Sequence, residues 1–308
     1  DPQVEKFYAF PAPAGVNYAA QLEKFVAYHA EDHRRVVCLT SGGTRVDLEK
    51  NTVRFLDNFS TGSRGAACAE AFLAEGYAVI LLHRPGCMTP FARHLSDGAT
   101  GRYVDFKLMD NLSVEESGKV VVNTNSCKLA RAVREYSKVK AANRLLTIPF
   151  ESLVQYLHLL RAASEALKPL KRNALLFLAA AVSDFYVPVS EMAEHKIQSR
   201  DGPLEMKLQQ VPKILGSLKQ CWSPEAFVVS FKLETDLSIL LDKARMSISK
   251  YGVDLVVANE LRTRYEKVTL VTSGDVQEVT RIEGSDAELD DELVAAVMAR
   301  HSEYISNP

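Results

Sequence analysis

Two short runs hold the residue types best suited to chemistry: Ser41-Gly42-Gly43-Thr44 and Asn58-Phe59-Ser60-Thr61-Gly62-Ser63-Arg64-Gly65. Adjacent glycines let a backbone turn sharply and approach a ligand closely. Ser60, Thr61 and Ser63 are types that cap a helix start. A first helical turn offers free N–H groups, and beside Gly42, Gly43 and Arg64 that suits a phosphate. The competing reading is a tight turn with no ligand. Familiar phosphate motifs do not fit. No glycine precedes a P-loop Lys-Ser/Thr, and Gly42-Gly43 followed by Thr44-Arg45 is not Gly-x-Gly-x-x-Gly. The next strand ends in His83-Arg84 rather than an acid for a ribose 2′-hydroxyl, although Arg84 leaves an NADP 2′-phosphate open.

A second group follows Ala174 to Val182, a continuous apolar run ending in Ser183-Asp184-Phe185-Tyr186. An ionisable group just past a buried strand is where α/β sheets place ligands, and a helix cap is the bland alternative for Asp184. Residues 187–210 read as a loop or flap carrying Lys196, Arg200 and Lys207. The strand Ala226 to Leu233 leads to Glu234-Thr235-Asp236, and Asp254 to Ala258 leads to Asn259-Glu260.

The elements that must position these groups alternate. Val36 to Leu39 is β-branched and apolar, as in a buried parallel strand. The run from Ala66 to Leu73 is helical and stops at Gly76, before a strand from Tyr77 to Leu82. Before them lie an arm, residues 1–16, and a helix from Tyr18 to Ala30 with Leu22, Phe25, Val26 and His29 on one face. Residues 84–120 read as a variable excursion, with a short strand from Lys119 to Asn123. Lys128 to Arg144 is a helix with a solvated basic face, Leu145 to Phe150 a strand, and Ser152 to Leu167 an amphipathic helix. Val211 to Trp222 reads as a helix with Pro212 in its first turn, and Leu237 to Lys250 as one stopped at Gly252. A hairpin, Lys267 to Thr272 with Val276 to Ile282, and a closing helix, Asp286 to Tyr304, complete the pattern. The expected fold is α/β, a Rossmann-like parallel sheet with helices on both faces and a small hairpin or flap excursion, forming a single domain over 1–308.

The chain has 308 residues, 47% hydrophobic and 25% charged, enough to bury a sizeable core. A formal net charge of −2 gives no global field for nucleic acid, and no apolar run is long enough to span a membrane. The first residues, Asp1-Pro2-Gln3-Val4-Glu5, do not read as a signal peptide. Cys38, Cys68, Cys87, Cys127 and Cys221 are scattered and lack a Cys-x-x-Cys pair, which favours free thiols in the cytosol.

Five motifs in order carry a resemblance: Ser41-Gly42-Gly43-Thr44-Arg45, Asp57 to Gly65, Ala179-Ala180-Ala181-Val182-Ser183-Asp184-Phe185, His195 to Ser199, and Leu255 to Glu260. Together they resemble the phosphopantothenoylcysteine synthetase (phosphopantothenate–cysteine ligase) family, of the free-standing eukaryotic type without a preceding flavin-dependent decarboxylase domain. The likeness runs from about Val36 to the last helix.

That resemblance implies ligation in coenzyme A biosynthesis, with 4′-phosphopantothenate, L-cysteine and ATP as substrates, Mg²⁺ on the phosphates, and an acyl-nucleotide intermediate. By resemblance, Asn58 binds phosphopantothenate and assists acyl transfer. Ala180, Ala181 and Asp184 contact the same substrate, and Arg54 reaches it across a homodimer interface. Gly42, Gly43, Ser60, Gly62, Gly65, Phe231 and Asn259 take the nucleotide. Bacterial members carry Lys-x-Lys-Lys where this chain has Lys196-Ile197-Gln198-Ser199, so Lys196 is the chosen catalytic lysine and Lys207 the reserve. Metal ligands are not assigned. An NADP-dependent oxidoreductase and a non-catalytic nucleotide sensor are the alternatives.

Overall fold

A computed structural model describes residues 2–8, 17–95, 112–122, 127–199, 202–282, 284 and 287–307. Residues 9–16 of the expected arm, most of the middle of the 84–120 excursion, Arg200 and Asp286 lie outside the described residues. In chain order the strands are β1 Val36–Ser41, β2 Arg45–Asp47, β3 Phe55–Asp57, β4 Ala78–His83, β5 Leu112–Val114, β6 Val120–Val122 and β7 Leu145–Pro149. They continue as β8 Ala174–Leu178, β9 Phe185–Tyr186, β10 Gln209–Gln210, β11 Phe227–Glu234, β12 Leu255–Glu260, β13 Lys267–Val271 and β14 Val276–Thr280. The main helices are α1 Pro2–Tyr8, α2 Ala19–Glu31, α3 Ser63–Ala74, α4 Cys127–Ala141, α5 Leu153–Leu167, α6 Leu237–Tyr251 and α7 Leu289–Ser306.

Eight strands form one sheet in the order β14-β13-β12-β11-β8-β1-β4-β7. From β12 to β7 every pairing is parallel, while β13 and β14 are added antiparallel. Every residue of β1 is buried, as a central strand covered on both faces requires. Its side chains divide by parity. Val36 and Cys38 pack with Leu22, Phe25, Leu157 and Leu160 of α2 and α5. Val37 and Leu39 pack with Cys68, Phe72, Leu293 and Val297 of α3 and α7. The fold is α/β and Rossmann-like, with helices on both faces.

Local chemistry explains where the elements start. Ser152 Oγ accepts from the Gln155 N–H at 3.2 Å while Gln155 Oε1 accepts from the Ser152 N–H, a reciprocal cap for α5. Asp236 caps α6 through the Ser238 N–H, and Gly252 ends it at φ 67°. In the arm, residues 2–8 are helical and dock on α5, where the Tyr8 hydroxyl donates to the Leu157 carbonyl at 2.9 Å.

Two elements differ from expectation. Strand β8 stops at Leu178 instead of Val182, because the next backbone leaves the sheet to cross the end of β1. There the Ala180 N–H donates to Thr40 Oγ1 at 3.1 Å and the Ala181 N–H to the Gly42 carbonyl at 2.9 Å. The expected helix from Val211 shrinks to one α turn, Leu215–Ser217, continued by a π turn, Leu218–Trp222. Val211 cannot start a helix because its N–H extends the β9–β10 ladder to the Asp184 carbonyl at 2.9 Å. The expected flap thus leaves and rejoins the fold on that two-stranded ladder, with a 3₁₀ turn at Val189–Glu191.

Candidate active site

The carboxyl ends of β1, β8, β11 and β12 open on one cavity of about 740 Å³. Its wall includes Ser41, Gly42, the run from Asn58 to Gly65, the run from Leu178 to Asp184, the run from Ser230 to Glu234, and Asn259. This is the edge at which an open α/β sheet presents ligands.

Helix α3 points its N-terminus into that wall. Gly62 precedes it at φ 75°, a left-handed conformation that a side chain would strain. Ser60 Oγ accepts from the Gly62 N–H at 3.3 Å, and Thr61 Oγ1 accepts from the Ser63 N–H at 3.4 Å. The first helical N–H groups have no partner within their own helix and carry the positive end of its dipole. Gly65 serves close packing, since a Cβ there would sit 2.2 Å from Ser41 Oγ.

Gly42 and Gly43 place the loop after β1. Gly42 has φ 90° and lines the cavity. Gly43 does not line it; a Cβ at Gly43 would meet the Asn58 carbonyl oxygen at 1.8 Å. The Asn58 N–H donates to the Thr44 carbonyl at 3.1 Å, the Thr44 N–H to the Ala181 carbonyl at 3.0 Å, and the Ser183 N–H to Thr44 Oγ1 at 3.1 Å. The three loops are therefore tied edge to edge, which brings Asn58, Ala180, Ala181 and Asp184 together on the wall.

Phe231 lies on the wall with its ring edge-on to Phe177, centroids 5.0 Å apart. Asn259 is nearly buried; its Oδ1 accepts from Arg64 Nη1 at 2.6 Å. Cations dominate the lining: Arg64, Lys213, Lys232, Lys243, Lys250 and Arg264 face Asp184 and Glu234. Both carboxylates are already paired, Asp184 Oδ1 with Lys213 Nζ and Glu234 Oε1 with Lys243 Nζ, each at 2.8 Å. For the Tyr265 phenol on the same wall, burial raises the pKa, but hydrogen bonding with Arg264 and Ser63 leaves it lower than usual. This surplus of positive charge suits a polyanion.

Arg54 and Lys196 stand outside this wall. Arg54 Nη1 reaches Glu49 Oε1 at 2.9 Å and the Ile197 carbonyl at 3.1 Å, so it ties the β2–β3 hairpin to the 187–210 segment. Lys196 is exposed beside it. Lys213, Lys232, Lys243 and Lys250 were missed as site residues from the sequence. Lys243 and Lys250 lie on the same face of α6, seven residues being about two turns, and that spacing is the available signal.

Other expectations resolve on geometry. Arg84 Nη1 donates to the Gly43 carbonyl at 2.9 Å and to Asp57 Oδ1 at 3.1 Å, so it straps two loops together instead of facing a 2′-phosphate. The oxidoreductase alternative is accordingly not favoured. Cys38 and Cys68 are fully buried, and burial pushes the Cys38 thiol up to about 12, as fits core residues. Among the described residues no group of His, Cys, Asp and Glu can hold a metal by itself, and no helix is long and apolar enough to cross a membrane.

The family described as DNA/pantothenate metabolism flavoprotein C-terminal domain matches residues 32–99 and 115–300. The human phosphopantothenate–cysteine ligase is 42% identical over 305 residues, covering 97% of this chain and 96% of that protein. The chain belongs to the phosphopantothenate–cysteine ligase family. Phosphopantothenate–cysteine ligase 2 of Oryza sativa subsp. japonica is 44% identical, covering 93% of this chain and 88% of the rice protein. The fold agrees: a mutant of Cab2 solved in complex with phosphopantothenate-cysteine superposes with a TM-score of 0.88, at 36% identity and 98% coverage of both chains. This family consists of ligases of coenzyme A biosynthesis, and the chain is an enzyme of that class.

Proposed function

We propose that this chain joins 4′-phosphopantothenate to L-cysteine through an acyl-adenylate, consuming ATP and releasing AMP and pyrophosphate. The observation that carries the reading is the cavity wall itself. One face holds the N-terminus of α3 and a set of cations, a second holds the loop from Ala179 to Asp184, and Asn58, just before α3 in the chain, is tied to that loop through Thr44. A triphosphate fits the first face, and a carboxylate substrate fits the second.

In the first step a carboxylate oxygen of phosphopantothenate attacks the α-phosphorus, and the bond to the pyrophosphate oxygen breaks. Arg64, Lys232, Lys243 and Lys250 take up the negative charge of the triphosphate and leaving group. The backbone N–H groups of Arg64 and Gly65 complete that cradle. Asn58 supplies an amide that donates to one substrate oxygen and accepts from another group, so it can orient a carboxylate without adding charge. In the second step the cysteine amine attacks the acyl carbon, AMP leaves with the oxygen that linked them, and the amine loses its proton. Lys196 is our choice for a catalytic lysine, by its match to the family's lysine position; the segment that carries it is anchored to the β2–β3 hairpin through Glu49, Arg54 and Ile197.

The donor set suits a magnesium ion that arrives on the triphosphate, since Mg²⁺ commonly takes substrate phosphates, water and one or two carboxylates. Asp184 and Glu234 are the carboxylates on the wall, and the ion would neutralise phosphate charge. The preference for ATP rests on the likeness to the eukaryotic type. We also propose one ligase domain, a homodimer in which Arg54 serves the neighbouring site, and a cytosolic location, the last supported by free thiols at Cys38, Cys68, Cys87 and Cys221.

The test is to incubate the protein with phosphopantothenate, cysteine and either ATP or CTP, and to identify products by mass. Phosphopantothenoylcysteine with AMP and pyrophosphate in the ATP arm is expected. ADP as the nucleotide product, or no amide in either arm, overturns the reading.

A further inference from the structure

Arg64 is fixed in the cavity wall by three other parts of the chain. Its Nε lies 3.1 Å from Asp290 Oδ1, in the first turn of α7. Its Nη1 donates to Asn259 Oδ1 at 2.6 Å, and its Nη2 donates to the Arg264 carbonyl. The side chains of Arg64 and Asp290 are 15% and 14% exposed. A guanidinium carries five N–H donors in a rigid fork, so one N–H on each terminal nitrogen remains for a ligand.

We propose that Asp290 is a positioning residue for the ligation, fixing the Arg64 guanidinium so that its remaining N–H groups meet a nucleoside triphosphate. This rests on the triphosphate reading above. The simplest other task for an acid at this place is helix capping, and that task is taken. Glu288 and Asp291 form the reciprocal cap of α7, with the Glu288 N–H donating to Asp291 Oδ2 at 2.9 Å. Asp290 is therefore free to turn its carboxylate towards α3.

The charged and titratable groups around Asp290 come from three elements. Arg64 and Cys68 face it from α3, the Cys68 thiol at 3.9 Å. Arg93 approaches from the 3₁₀ turn Ala92–Leu95, but its guanidinium is already paired with Glu70 at 2.9 Å and Glu288 at 2.8 Å, and His94 Nε2 also meets Glu70. Glu288 and Asp291 flank it on its own helix. Burial raises the Asp290 carboxyl to about 6, against the pull of Arg64, with Glu288 adding to the rise. It is ionised at neutral pH and becomes neutral in mild acid.

The sign separates positioning from stability. A folded pKa raised above the usual 3.8 means that this group's stabilising contribution is present at low pH and is lost as pH rises through about 6. A purely structural Asp290 therefore gains stability in acid, whereas its grip on Arg64 weakens there.

Steady-state kinetics decide, with KM for triphosphate measured separately from KM for cysteine, from about pH 5.5 to about 7.5. In Asp290→Asn we expect the triphosphate KM to rise about tenfold, as for loss of a charged hydrogen bond, with the cysteine KM and the melting temperature at neutral pH held. Relative to wild type, the acid-side rise in triphosphate KM should shrink to the part that protonation of the triphosphate itself supplies, its phosphate pKa being about 6. Asp290→Glu should restore part of the affinity, and Asp290→Asn should add little in an Arg64→Ala background. An unchanged triphosphate KM in folded Asp290→Asn, or equal penalties in both backgrounds, overturns the proposal. Should that variant not fold, a wild-type triphosphate KM that is flat across the same pH range overturns it as well. A wild-type protein that makes no amide with any triphosphate sinks the functional reading instead, an outcome visible before any variant is made.

Discussion

Lys213 Nζ meets Asp184 Oδ1 at 2.8 Å on the cavity wall, 29 residues apart in the chain and on opposite sides of the 187–210 segment. The side chains are 52% and 75% exposed, so the pair contributes little to stability, about 0–1 kcal/mol for exposed ion pairs. Its place in the site therefore rests on what it offers a ligand. Lys213→Ala should leave the melting temperature essentially unchanged while raising KM for phosphopantothenate about tenfold. Thermal melts and kinetics on the same preparation check this; an unaltered KM would remove Lys213 from the site.

Glu49 is fully buried, and burial alone would raise its carboxyl. Hydrogen bonds from the Arg54 and Val53 N–H groups, the Arg54 guanidinium and the Ile197 N–H hold it below the usual range instead. A depressed carboxyl contributes stability above its unfolded pKa of 4.5, and that contribution is lost as pH falls through the lower folded value. Glu49→Gln should lower the melting temperature by several degrees at neutral pH. The gap from wild type should narrow in acid. A gap that stays constant or widens below about pH 4.5 would contradict this account of the hairpin and flap joint.

Gly43→Ala would bring a Cβ to 1.8 Å from the Asn58 carbonyl oxygen, a backbone atom that cannot swing aside. At Gly216 the nearest atom is 3.8 Å away. Overpacking of the first kind typically costs about 1–3 kcal/mol, and here the displaced residue is Asn58. Gly43→Ala should lose most activity, while Gly216→Ala keeps both activity and fold. Equal activity in the two proteins would show that the Asn58 loop tolerates displacement.

The sheet is legible because its strands are continuous apolar runs separated by glycines and amphipathic helices. The end of β8 is not, since Ala179 to Val182 is as apolar as Ala174 to Leu178. What pulls it out of the sheet are Thr40, Gly42 and Thr44, about 140 residues earlier, through hydrogen bonds to the threonine hydroxyls and the loop backbone that leave no local pattern. The Val211 segment fails likewise, because a bond to Asp184 outweighs helical composition. At the site, the glycines and Asn58 stand out by type and spacing. Their separate tasks do not: Gly43 and Gly65 make room for Asn58 and Ser41, which only the assembled loops reveal. Lys213 has no sequence signal, since its partner Asp184 becomes adjacent only through the β9–β10 ladder.

Asn58 lines the same cavity as the α3 N-terminus and the 179–184 loop, and its N–H is tied through Thr44 to Ala181. Asn58→Asp keeps its size but exchanges an N–H donor for negative charge beside two anionic substrates. Loss of one such donor typically costs about 10²–10³ in rate. The variant should fold normally and form amide at least about 100-fold more slowly. A role confined to loop or cap geometry predicts near-normal turnover, because Asp substitutes well for Asn there.

The central claim is that the carboxylate oxygen of phosphopantothenate becomes bonded to the α-phosphorus of ATP. Phosphopantothenate labelled with ¹⁸O in both carboxylate oxygens tests it without any mutation. After turnover with cysteine and ATP, mass spectrometry should find one labelled oxygen in AMP and none in pyrophosphate. Label in inorganic phosphate, with ADP as the nucleotide product, would mean attack on the γ-phosphorus and would contradict the acyl-adenylate account.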